Sequence, residues 1–97
     1  MNKIATPKIS EILKEEFMEP LNISAYFLAK HINVPTSRIQ DLLHDRRQVT
    51  IDTSIRLGRF FGVSDLYFVK LQNDIDLRNA ELQKKDEYDQ IKQYQQA

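Results

Sequence analysis

The 97-residue chain balances 14 basic against 14 acidic residues, is 41% hydrophobic and contains no cysteine. That is one small domain, too short for a two-lobed enzyme, with no disulfide framework, thiolate metal site or cysteine nucleophile. Its two glycines, Gly58 and Gly62, leave no glycine-rich phosphate loop, and its apolar runs are too short to span a membrane.

The first expected helix covers residues 10–17, with Ser10 as its N-cap and acidic residues in the first turn. Ile9, Ile12, Leu13 and Phe17 form its apolar face, and Pro20 is expected to end it by disfavouring helix at Glu19. A second helix runs from Ala25 to about Ile32 after a Ser24 cap, presenting Phe27, Leu28, Ala29 and Ile32. The third spans Pro35 to Leu43, proline suiting a first position whose N–H is unpaired anyway. Ile39, Leu42 and Leu43 point inward; Thr36, Ser37, Arg38, Gln40 and Asp41 point outward. After a doubly basic loop, Thr50 or Asp52 caps a fourth helix through about Phe61, with Gly62 at the left-handed position that ends it. Ser64, with Asp65 behind it, caps a fifth helix through Leu82 or a turn beyond. This gives an all-α organisation: an arm over residues 1–8, a helical domain over 9–84, and a polar, frayed or disordered tail over 85–97.

Charge is unevenly distributed. Residues 21–50 hold Lys30, Arg38, Arg46 and Arg47 against Asp41 and Asp45, whereas acidic residues predominate over 71–97. A basic middle and an acidic end suit one binding face plus a solvated end.

Ser24 to Leu43 has the spacing of a helix-turn-helix. The small Ala29 allows a second helix to cross closely over the first, and four residues later Asn33 suits a left-handed turn. Ile39 and Leu42 then point back between the helices, and the turn is short enough to set the second helix into a major groove. The same pattern also occurs in helical proteins that never touch DNA. Two features favour DNA: the outward Thr36-Ser37-Arg38 and Gln40 suit base edges, and Arg46-Arg47 lie where a phosphate would pass. Asp41 is the exception, a carboxylate tolerated near DNA mainly opposite a cytosine amino group.

Residues 10–21, Ser24–Lys30, Val34–Ile39 and above all Arg46–Gly62 resemble HigA-type antitoxins of the XRE-like helix-turn-helix class. Leu66-Tyr67-Phe68-Val69-Lys70-Leu71-Gln72 is similar to that family's aromatic-aromatic-x-x-Leu-Gln helix, so the resemblance covers residues 9 to about 77. A Lys-Ile-Ser run replaces the family's His-Pro-Gly before the first helix, and Asn33 and Asp45 stand where glycine is common. The resemblance implies a five-helix, lambda-repressor-like domain with an extended C-terminal helix. It also implies a cytoplasmic homodimer that represses its own operon from a palindromic operator, neutralises a RelE-like mRNA endonuclease toxin and catalyses nothing. Pro35, Thr36, Ser37, Arg38, Gln40, Asp41, Arg46, Arg47 and Thr50 are then the candidate DNA contacts.

The remaining features suggest no other chemistry. His31 and His44 are thirteen positions apart without a HExxH motif, so neither a metal nor another cofactor is expected, and His44 suits a helix C-terminus. Glu15-Glu16 reads as a solvated helix face, with a docking surface for a basic toxin as the alternative. Phe60, Phe61, Tyr67 and Phe68 read as core. Phe68, Leu71, Ile75 and Leu82 form a helical stripe, of which Phe68, Leu71 and Ile75 are the candidate dimer interface; the alternative is packing on the chain's own first helix. Two rival functions remain, a solitary transcriptional regulator and a helical protein-interaction module without DNA readout. The N-terminus has no apolar segment of a secretory signal, which makes the cytoplasm the expected compartment.

Overall fold

A computed structural model describes residues 6–95. Most of the arm expected over 1–8 and the last two residues of the expected tail therefore lie outside the described residues. Five α-helices, and no strand, are found among the described residues: α1 (Ile9–Ile12), α2 (Ala25–Ile32), α3 (Thr36–Leu43), α4 (Ile51–Phe61) and α5 (Tyr67–Asp89).

The opening helix differs from its expectation at both ends. Ser10 is buried inside it, and Lys8 is the N-cap, with extended backbone and no capping side chain. Pro20 does not stop it either. α1 continues into a π-helical segment, Leu13–Met18, and a 3-10 turn, Glu19–Leu21, in which Glu19 is helical and its N–H reaches the Lys14 carbonyl. Wider i→i+5 winding puts Leu13 and Met18, five residues apart, on one face, and both are buried. Proline's missing donor falls where the winding changes, and the end is sealed by Asn22 N–H to the Glu19 carbonyl (3.0 Å) and Ile23 N–H to the Met18 carbonyl (2.9 Å). Phe17 from this segment meets Phe61 at 5.2 Å and Phe68 at 4.9 Å between ring centroids, joining the opening helix to α4 and α5.

The middle helices begin and end where their sequence signals lie. The Ser24 hydroxyl accepts Phe27 N–H at 3.0 Å to cap α2. Thr50 caps α4 by accepting Thr53 N–H at 3.3 Å, and Gly62 ends it at φ 76°, ψ 31°. Pro35 is displaced by one position: it is the extended N-cap of α3 (ψ 144°), not its first residue. Gly58 is required by close approach, since a Cβ there would sit 2.5 Å from the Ser64 carbonyl oxygen.

α5 starts by a device that the sequence signals did not suggest. Ser64 does not cap it with its side chain; the N-cap is Leu66, which has none to offer. The fully buried Ser54 of α4 supplies the missing acceptor, its hydroxyl taking Val69 N–H at 3.0 Å and donating to the Asp65 carbonyl at 2.7 Å. Farther along, α5 passes Leu82 and reaches Asp89 through a non-helical Lys84 (φ −128°, ψ 24°), so residues 85–89 of the expected tail form a last helical turn.

The stripe proposed for dimerisation lies mostly inside the monomer. Phe68 is fully buried, Ile75 is 8% exposed, and Leu71 packs half-buried against the same core. The early turns of α5 lie along the opening helix and α4, so these residues complete the chain's own core. Beyond Ile75 the helix leaves the core, exposing Leu77 (60%) and Leu82 (66%).

Ser54→Ala should remove about 1–3 kcal/mol of stability by leaving the Val69 N–H and the Asp65 carbonyl without this partner. Ser64→Ala should change stability by less than about 0.5 kcal/mol. Urea denaturation of the two variants side by side measures the difference, and equal losses would contradict the assignment of the cap to Ser54.

Candidate nucleic-acid interface

The α2–α3 crossing matches the spacing argument. Ala29, Ile39 and Leu42 are buried between the helices, and Asn33 adopts the left-handed conformation at φ 62°, ψ 49°. Val34 N–H returns to the Ala29 carbonyl at 3.0 Å, which closes the turn from within. Arg56 of α4 closes it from outside, donating from Nη1 to the Ile32 carbonyl at 2.9 Å and reaching the Asn33 carbonyl at 3.5 Å. The turn is therefore braced by a third helix.

The polar residues at the start of α3 have distinct surroundings. Pro35 and Ser37 are exposed, whereas Thr36, Arg38, Gln40 and Asp41 are half-buried. Arg38 leans on α4, with Nη1 donating to Asp52 Oδ2 at 2.9 Å. Asp52 Oδ2 also accepts Arg56 Nε at 2.9 Å, so one carboxylate oxygen gathers two guanidinium groups. Gln40 contributes its main-chain carbonyl, which accepts the His44 Nδ1–H at 2.8 Å at the helix C-terminus.

Asp41 organises the basic loop. Its Oδ1 accepts Arg46 Nε at 3.1 Å, and Oδ2 lies 3.9 Å from Arg47 Nη2. Both arginines stay exposed. Asp45 is left-handed (φ 60°), and Arg46 N–H returns to the Asp41 carbonyl at 2.8 Å. The far end of the loop is held from α5: the buried Gln72 accepts Val49 N–H at 3.4 Å and donates to Asp76 Oδ1 at 3.1 Å. Thr50 ends the loop, its hydroxyl committed to capping α4.

The structure thus joins Arg38 to α4 and Arg46 and Arg47 to Asp41, around the exposed start of α3. Asp52, Arg56 and Gln72 complete the arrangement; none of them is among the candidate DNA contacts, and the sequence suggests Asp52 only as a possible cap of α4. Asp52 and Arg56 stand four apart on one helix, a pairing visible in sequence. Their contacts with Arg38 and with the turn are visible only in the fold. The hydrogen bond from Arg56, helped by Arg38, holds the Asp52 carboxyl below its usual range, and Arg59 does the same to Asp65 with two hydrogen bonds of 3.1 Å.

Among the described residues no three His, Asp or Glu side chains are grouped to hold a metal ion, and no helix is long and apolar enough to cross a membrane.

Comparison with known proteins agrees with this geometry. The helix-turn-helix family model matches residues 13–68. Virulence-associated protein I of Dichelobacter nodosus is 40% identical over 74 residues, covering 76% of this chain and 68% of that protein. An addiction module antidote protein of the HigA family from Coxiella burnetii superposes with a TM-score of 0.83 at 32% identity, over 94% of this chain and 100% of that one. The Pseudomonas aeruginosa antitoxin HigA, solved with the higBA promoter, gives 0.82 at 27% identity, over 93% and 99%.

Both carboxyls titrate below their ordinary value in the folded chain, so their contribution to stability is present at neutral pH. It is lost as pH falls below about 4 and through the depressed folded values. The Asp52→Asn/Asp65→Asn double variant should therefore show a flatter fall of the urea midpoint on acidification than the parent chain; an equal fall would contradict the ion-pair account. By matched family, shared fold and the geometry of α2 and α3, the chain belongs to the XRE-type helix-turn-helix family, and solved structures that share its fold are HigA-family antitoxins.

Proposed function

We propose that this chain is the antitoxin and autorepressor of a type II toxin–antitoxin module. In this reading a homodimer in the cytoplasm binds a palindromic operator, represses its own operon and neutralises a RelE-like mRNA endonuclease, with no catalysis of its own. The observation that carries the DNA half is the braced α2–Asn33–α3 crossing, in a chain whose overall fold matches that of an antitoxin solved with the higBA promoter. The toxin half rests on likeness to proteins named as antitoxins and antidotes.

Each candidate residue then has a role. Thr36, Ser37, Arg38 and Gln40 face base edges, with Pro35 and Thr50 at the ends of the surface. Arg46 and Arg47 hold backbone phosphates, and Asp41 aims them by accepting from Arg46 and attracting Arg47 across 3.9 Å, without burying either. Dimerisation falls to the outer part of α5, where Leu77, Leu82 and Tyr88 are exposed, in place of the buried Phe68 and Ile75.

Arg46→Ala/Arg47→Ala should weaken binding to operator and to unrelated duplex alike. It should also flatten the plot of log affinity against log salt by roughly one to two units. An unchanged slope would remove this loop from the interface. Co-expression with the product of the adjoining reading frame tests the toxin half. Rescue of growth supports an antitoxin, whereas operator binding without rescue favours a solitary regulator.

A further inference from the structure

Arg38 stands in the first turn of α3, the part of a recognition helix whose side chains reach base edges. A long arginine on an open surface samples many rotamers, and each productive contact must first gather it into one. Here that has already happened in the free chain. Arg38 Nη1 donates to Asp52 Oδ2 at 2.9 Å, and its side chain is only 28% exposed.

The acceptor is itself fixed. Asp52 lies in the first turn of α4, and the same oxygen accepts Arg56 Nε at 2.9 Å. Arg56 in turn holds the Ile32 carbonyl at 2.9 Å, so the chain of contacts runs from the α2–α3 turn through α4 to the start of α3. The bond uses Nη1, which leaves the Nε–Nη2 edge of Arg38 for a ligand. That edge is the one with which Arg59 takes both oxygens of Asp65, each at 3.1 Å, elsewhere in this chain. On DNA its match is the O6/N7 pair of a guanine.

We propose that Asp52 is a positioning residue for sequence readout: it holds Arg38 so that the free Nε–Nη2 edge meets a guanine in the major groove. The inference rests on the reading of α3 as the base-reading helix. It makes an unusual demand of an acidic residue, because a carboxylate near DNA repels phosphates. Electrostatics alone therefore predicts that removing it tightens binding to every DNA. Positioning predicts the reverse on operator and only on operator.

The test uses the full chain, a duplex that the wild-type chain selects from a randomised pool, and an unrelated duplex of equal length. Asp52→Asn should lower affinity for the selected duplex about tenfold to a hundredfold, with binding to the unrelated duplex unchanged or tighter. The loss should disappear in an Arg38→Ala background, since both changes remove one contact. Arg38→Lys, which keeps the charge without the planar edge, should show the same operator-specific loss. Three results would overturn the inference: Asp52→Asn binding the selected duplex as tightly as the parent, equal losses on both duplexes, or a loss that adds in full to that of Arg38→Ala. A wild-type chain with no preference between duplexes would overturn the reading of α3 as well, whereas a preference that survives Asp52→Asn overturns the inference alone.

Discussion

Everything at the proposed interface depends on how closely α3 crosses α2. The crossing needs a side chain no larger than a methyl group at Ala29 and a left-handed residue four positions on, which Asn33 provides at φ 62°. Asparagine tolerates that conformation better than most residues. It still forgoes the freedom of glycine, and the structure compensates with hydrogen bonds. Val34 N–H closes the turn on the Ala29 carbonyl, and Arg56 takes the carbonyl of Ile32 from α4. A turn fixed on both sides gives α3 a defined direction, and the positions of Ser37, Arg38 and Gln40 follow from that direction.

A chain with zero formal net charge does not look like a DNA-binding protein until its charges are placed. Two carboxylates do most of the placing. Asp41 gathers Arg46 and Arg47 at the end of α3, and Asp52 gathers Arg38 and Arg56 between α3 and α4. Each acid costs some attraction for phosphate and in return restrains two flexible cations. The loop that carries two of these cations is also anchored at Val49 by Gln72, so the position of α5 bears on the proposed phosphate contacts.

What could be read from the sequence was local. The spacing of Ala29, Asn33, Ile39 and Leu42 is set by two short helices and the tight turn between them, and Ser24, Thr50 and Gly62 signal helix ends through their own backbone and side-chain chemistry. What could not be read depends on residues distant in the chain. Pro20 fails to stop the opening helix because π winding buries Met18 beside Leu13, a tertiary gain that local propensity does not register. Ser54 caps a helix that begins thirteen residues later, and Asp52 meets an arginine fourteen residues earlier. The stripe Phe68–Leu71–Ile75 shows the limit of periodicity most plainly: it says that a face is covered without saying by what, and the cover is the chain's own core.

The central claim is that a pair of these chains reads two half-sites through α3. Its most direct test is a binding titration of the full chain on the DNA upstream of its own gene, on a scrambled duplex, and on the upstream DNA with five base pairs inserted at the centre of the palindrome. Half-sites one turn, about 34 Å, apart face the same side of the duplex, and the insertion turns them to opposite sides. The account predicts binding to the upstream DNA at least about a thousandfold tighter than to the scrambled duplex, with most of that preference lost on insertion. Equal affinity for all three duplexes would contradict it.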